Sequence, residues 1–215
     1  NNMEQEISLY EVYNILKNLS LKKAQIYQRY ANLLANDFDL EIIIFKKINL
    51  AKKEITLFIK KYDDDANRHY WQELTITKKD NSYNYNSNDQ DLHINIFNST
   101  SHLNQLFSKL DSIKDFLKFK PIKITDTTNS CNITLSIENI KIYHKNGHII
   151  TIPFDSIKFS KVENTQELDD LLKSIIITKE SLPNWLQLKY TEENSLSIDN
   201  IIKKLKQKCK QFKLS

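Results

Sequence analysis

Ile140-Lys-Ile-Tyr-His-Lys-Asn-Gly-His-Ile-Ile-Thr-Ile152 is the stretch that decides the class of fold. Apolar and polar residues alternate on both sides of Asn146-Gly147, and the only glycine of the 215-residue chain sits between them. That alternation reads as two strands sharing one buried face. Asn-Gly predicts a type I′ turn, which needs positive φ at both central residues. Outward from it, 122–125, 131–137 and 156–162 keep the period of two, so an antiparallel meander is expected. Helical stripes flank this region. Leu103, Leu106, Phe107, Leu110, Ile113 and Leu117 precede it and stop at Pro121; Leu168, Leu171, Leu172 and Ile175 follow it behind a cap at Asn164. The fold class is α+β.

The N-terminal part reads as helical. Ser8-Leu-Tyr-Glu11 has the form of a capping box, and Leu9, Val12, Leu16, Leu19, Tyr27, Tyr30, Ala31 and Leu34 continue at helical spacing. The chain turns at Asn36-Asp-Phe-Asp39. Ile44, Ile48, Ala51, Ile55 and Phe58 then predict a second long helix to about Lys61, making a helical hairpin that Asp63-Asp-Asp65 closes. A strand is expected at 71–77, a polar loop at 78–91 holding Tyr83 and Tyr85, and a strand at 92–97. The expected division is a helical hairpin over 1–70 and an α+β domain over 71–215, with a basic amphipathic helix at the end.

Composition excludes more than it identifies. One Gly and three Pro leave no material for a phosphate-cradling loop, a dinucleotide fingerprint or a nucleophile elbow. Twenty-nine Lys against two Arg, with abundant Asn and Ile, match the codon bias of an AT-rich genome. The net charge of +4 is unevenly placed: residues 200–215 hold six lysines and no acid, while the rest sums to −2. Lys203, Lys204, Lys206, Lys208, Lys210 and Lys213 are therefore the polyanion-binding candidates. Ile198, Ile201, Ile202, Leu205, Cys209 and Phe212 form the opposite, apolar stripe, which is expected to dock on the protein's own sheet. Two cysteines make no disulfide framework, no apolar run reaches a membrane-spanning length of roughly 18 residues, and no signal peptide is visible. A cytoplasmic location is the expectation.

Ser20-Leu-Lys-Lys-Ala-Gln-Ile-Tyr-Gln-Arg-Tyr-Ala31, followed by Leu50-Ala-Lys-Lys-Glu-Ile-Thr-Leu57, resembles the first helix pair of rubrerythrin and other ferritin-like proteins. The resemblance implies paired helices over about 8–60, without the family's metal. Leu21 or Lys23 stands where its first metal Glu belongs, and Leu57 stands at the His of its Glu-x-x-His motif, leaving Glu54 alone. A diiron centre needs about four Glu and two His.

Other chemistry is sparse. His144 and His148 flank the expected turn and are the candidate zinc ligands, with Asp126 or Glu138 as further donors. Asp63–Asp65 with His69 lacks the alternating acids and glycine of a calcium loop. Neither Glu138 with Lys141 nor Asp155 with Lys158 has nuclease spacing, and Cys131 reads as a small buried hydrophobe. No catalytic residue and no cofactor is assigned. The expected function is a non-catalytic protein-interaction or scaffold subunit with a protein partner. The alternatives are nucleic-acid binding through the terminal lysines and a metal-dependent enzyme.

Overall fold

The structure, a computed structural model, describes residues 5–88, 94–96, 98–126, 130–154, 165–191, 202, 205, 206, 208 and 209. It is α+β, with antiparallel sheets and an N-terminal helix. Two compact units divide the chain, Leu21–Lys118 and the combination of Asn1–Ser20 with Phe119–Ser215. The division thus falls at Ser20 and Lys118 and not near residue 70. Helix α1 (Leu9–Asp37) contributes residues to both units. Ser8 caps it, accepting the Glu11 N–H at 3.3 Å, as the capping box requires.

In the unit Leu21–Lys118, the second expected helix is replaced by a hairpin. Strands β2 (Ile43–Asn49), β3 (Glu54–Asp63), β4 (Arg68–Lys79) and β5 (Ser82–Ser87) form one sheet in that order. The apolar residues at 44, 48, 51, 55 and 58 satisfy a helical period, but Ile55, Leu57 and Ile59 also satisfy a period of two. Ile, Phe and Thr crowd 42–59, and residues of those types pack better on a pleated surface than on a helix. Ile55, Leu57 and Ile59 are completely buried, and Leu74 and Ile76 join them from β4. Helix α1, the residue Phe38 just after it and helix α2 (Ser99–Asp111) cover this face through Tyr27 on Phe45, Phe38 on Tyr85 and Phe107 on Tyr83. Helix α3 (Lys114–Leu117) follows.

The described part of the polar segment expected as a loop, 78–88, is likewise mostly strand. A two-residue turn at Asp80-Asn81 leads into β5, whose Tyr83 and Tyr85 point inward while Asn84 and Asn86 point out. Tyr83 donates to Asn104 Oδ1 at 2.6 Å, and Tyr85 bonds with the Ser99 hydroxyl at 2.6 Å. Their phenols are anchored on α2 and unavailable as a binding loop. Of the strand expected at 92–97, the described residues 94–96 have no regular structure.

The other unit contains the meander. Strands β6 (Ile122–Asp126), β7 (Cys131–Leu135), β8 (Asn139–His144) and β9 (Ile149–Pro153) pair in sequence order, while the strand expected at 156–162 lies outside the described residues. Ile133, Leu135, Ile140 and Ile142 fill its buried face. The β8–β9 turn is not type I′. Gly147 donates to the His144 carbonyl at 3.0 Å, His144 donates to that of His148 at 2.9 Å, and Gly147 but not Asn146 has positive φ, at 89°. This is the three-residue loop in which the glycine follows a turn as a bulge. Strand β1 (Glu6–Ser8) pairs with β10 (Ile176–Thr178) after α4 (Thr165–Ser174), and a further helix, α5, occupies 184–191.

Three outcomes test this arrangement. Leu57→Ala should cost about 2–5 kcal/mol by urea unfolding, whereas Lys60→Ala, only three residues on, should change little. Gly147→Val should cost about 1–2 kcal/mol; no atom lies within 4 Å of the added Cβ, so Gly147→Asn should recover most of it. Burial, aided at Tyr13 by Asp169 and Tyr10 and at Tyr83 by Tyr85, pushes the phenols of Tyr13, Tyr27 and Tyr83 up to about 12. A group that ionises later when folded favours folding below its unfolded value of 10.0 and loses that preference as pH rises toward 12. Urea midpoints should therefore hold level to about pH 10 and fall from there to about pH 12.

Candidate functional site

Strand β3 sets the geometry of one surface. Because Ile55, Leu57 and Ile59 point inward, Thr56, Phe58, Lys60 and Tyr62 must point outward. Register carries the same alternation across the sheet: Phe58 lies between Ile44 and Glu73, Lys60 opposite Trp71, and Tyr62 opposite His69. Strand β2 pairs no further along β3 than Ile59, and β5 no further along β4 than Leu74. From Lys60 to Asp63 and from Arg68 to Trp71, β3 and β4 therefore continue as a two-stranded ribbon with no other strand on either edge among the described residues.

The consequence is aromatic exposure. Trp71 is 46 %, Tyr62 49 % and Ile44 48 % exposed, all on the outward face. Exposed large apolar residues gathered on one face mark interaction surfaces more often than scattered ones do. The ribbon is locally fixed. Tyr62 and His69 meet edge to face with centroids 5.0 Å apart, and the Tyr62 hydroxyl donates to Asn67 Oδ1. The Asp63 carboxylate accepts the N–H groups of Asp65 and Ala66 at 3.0 and 3.3 Å, so the acidic run closes a β-hairpin and not a helix. Cations accompany the rings. Lys46, at a bulge in β2, lies 5.1 Å from the Phe58 ring centroid and pairs with Glu73. Lys47 shares the row of Thr56 and Thr75.

A second candidate surface is the open end of the β6–β9 sheet. A cavity of 360 Å³ there is lined by Thr125, Asp126, Ser130, Cys131, Tyr143 and His144. Beside it a groove of 500 Å³ runs over Lys123, Thr125, Asn132, Thr134 and Tyr143. Asp126, Cys131 and His144 fall in one cross-strand row. The row does not activate the thiol. Burial first, then the charge of Asp126 and the hydrogen bond to it, push the Cys131 thiol up, away from the thiolate that nucleophilic chemistry uses.

His144 and His148 are brought to the two ends of the β8–β9 loop, the first half-buried and the second exposed. Among the described residues, no three His, Cys, Asp or Glu side chains gather as a metal-ligand group. Glu54 and Leu57, which carried part of the ferritin-like resemblance, sit on strand β3, and Leu21 and Lys23 on α1. Of the terminal lysines, Lys206 and Lys208 are helical and exposed; Lys203, Lys204, Lys210 and Lys213 lie outside the described residues. Ile202 and Leu205, from the stripe expected to dock, are 44 % and 57 % exposed, and Cys209 is exposed as well. No described helix is long and apolar enough to cross a membrane.

No family model matches the sequence, and the comparisons with curated proteins and with solved structures give no match either.

Sequence reading placed Trp71 on a strand, Ile44 on a helical stripe and His69 beside the acidic run, and passed over Tyr62. The available signal was the alternation Phe58, Lys60, Tyr62 beyond an apolar run, which a helical reading of that stretch conceals. A thiol probe tests the Cys131 assignment: a disulfide reagent at neutral pH should modify Cys209 promptly and Cys131 only with unfolding. Equal, rapid modification of both would show an accessible, activated Cys131.

Proposed function

We propose that the chain is a non-catalytic binding subunit that works through the outward face of β2, β3 and β4. The observation that supports this most is the joint exposure of Trp71, Tyr62 and Ile44 on one sheet face. Full burial of a side chain of this size contributes about 1.5–3 kcal/mol, and these three are half exposed, so a partner that covered them would gain roughly half of that from each. Tyr and Trp are also the residues that dominate binding hot spots. This reading puts the interaction surface on the side of the sheet opposite its buried row of Ile55, Leu57 and Ile59. A reading as an enzyme has less support, because the one cysteine beside a carboxylate is held as the thiol.

The test uses the tagged full chain in extract of its source cell. Trp71→Ala/Tyr62→Ala should keep its circular dichroism and melting temperature, yet lose the material that the wild-type chain retains. Thr134→Ala, on the other sheet, should retain it. Retention that is the same for all three proteins would show that the face does not carry the function.

A further inference from the structure

We propose that the outward face of β3 and β4 is a track for single-stranded nucleic acid, with bases stacked on its rings and phosphates on its lysines. This rests on the reading of that face as the binding surface and names the partner. Successive outward rows along a strand are about 7 Å apart. Two consecutive rows each offer an exposed aromatic ring, Tyr62 beside His69 and Trp71 beside Lys60; in the next row Phe58 is half-buried beneath Lys46, which pairs with Glu73. The fourth row continues with Lys47 and the hydroxyls of Thr56 and Thr75. Stackable rings on two adjacent rows, with Lys60 and Lys47, unpaired among the described residues, on the same face, match the alternation of bases and phosphates along a single strand. A protein hot spot has a different layout, with apolar anchors at the centre and polar groups kept to the rim.

Charge on the face agrees. Of its carboxylates, Glu73 is paired with Lys46, and Glu54 lies two rows beyond Phe58, away from the rings. Asp63 points to the opposite side of the ribbon, while Asp64 and Asp65 lie in the turn, which limits the track at that end. Lys47 and Lys60 have no carboxylate partner among the described residues. Over residues 43–87 there are nine Lys and Arg against six Asp and Glu, two of those acids, Asp64 and Asp65, lying in the β3–β4 turn. Base faces are free for stacking only when unpaired, which selects single strands over duplex. The face has no Arg, so bidentate base reading is absent and binding should tolerate any sequence.

The probe is a labelled oligouridylate of about a dozen nucleotides, titrated by anisotropy with tryptophan emission followed in parallel. Wild type should bind with quenching of that emission, and binding should weaken between about 50 and 200 mM salt. Trp71→Ala should weaken binding about ten-fold or more. Lys60→Ala should lower the salt slope by about 0.7, a readout of phosphate contact that a change in folding would not mimic. Lys206→Glu/Lys208→Glu should leave affinity within about two-fold if the terminal helix is not the site. The proposal is overturned by the absence of saturable binding, by equal binding of a duplex of the same length, or by binding lost in the terminal variant and kept in Trp71→Ala. It is also overturned if nuclease-treated extract shows a protein held by wild type and lost in Trp71→Ala/Tyr62→Ala without oligonucleotide binding. That last result would leave the face as the binding surface and remove only the nucleic acid.

Discussion

The inward row Ile55, Leu57 and Ile59 on β3 is the constraint on which the Leu21–Lys118 unit depends. All three are fully buried, with β2 on one side and β4 on the other. Side chains on a strand alternate strictly, so sliding β3 by one residue would turn the whole row into water and the outward residues into the core. Phe58, Lys60 and Tyr62 face out because their neighbours are held in. The surface assigned to binding is therefore a by-product of core packing, and its rings can change without disturbing what fixes the strand.

The two four-stranded sheets share a topology but treat their open faces differently. That of β6–β9 carries Lys123, Thr125, Asn132, Thr134 and Tyr143, a mostly polar set over a broad, open groove. That of β2–β5 carries Trp71, Tyr62 and Ile44. The β6–β9 sheet leaves one aliphatic side chain on its open face, Ile149, 60 % exposed in the row of Tyr143. The β2–β5 sheet gathers two rings, Trp71 and Tyr62, on the ribbon where only β3 and β4 pair among the described residues, with Ile44 on the neighbouring stretch of β2.

Much of the architecture was legible. The capping box at Ser8 predicted the start of α1, the stripe from Leu103 to Leu110 predicted α2, and the alternation from Ile122 to Ile152 predicted β6 through β9. The stretch from Ile43 to Lys61 misled because its apolar residues fit both periods, and only its β-branched content favoured the strand. Tyr83-Asn-Tyr-Asn86 misled for the opposite reason. It lacks aliphatic residues, yet its strand is anchored by phenols on α2. The exposed face of β3 and β4 could not be read until the pairing of β2 and β5 was known, since exposure of Trp71 follows from where its described neighbours stop pairing.

Scarcity of glycine leaves its own mark on the backbone. Asp39, Lys53, Asn67, Asp80, Asn98 and Ser130 all take positive φ, between 49° and 72°, at turns where other proteins would place glycine. Such conformations cost of order 1–3 kcal/mol each in residues with a side chain, least for Asn and Asp, whose short polar side chains bond locally. Asn67 and Asp80 hold two of the three hairpin turns of the β2–β5 sheet, and Lys53 holds the third. The chain thus meets a shortage in its alphabet by distributing small conformational debts over its corners, and a lysine carries one of them. A protein built this way has latent stability waiting at its turns, within reach of a single codon change wherever its genome tolerates the base.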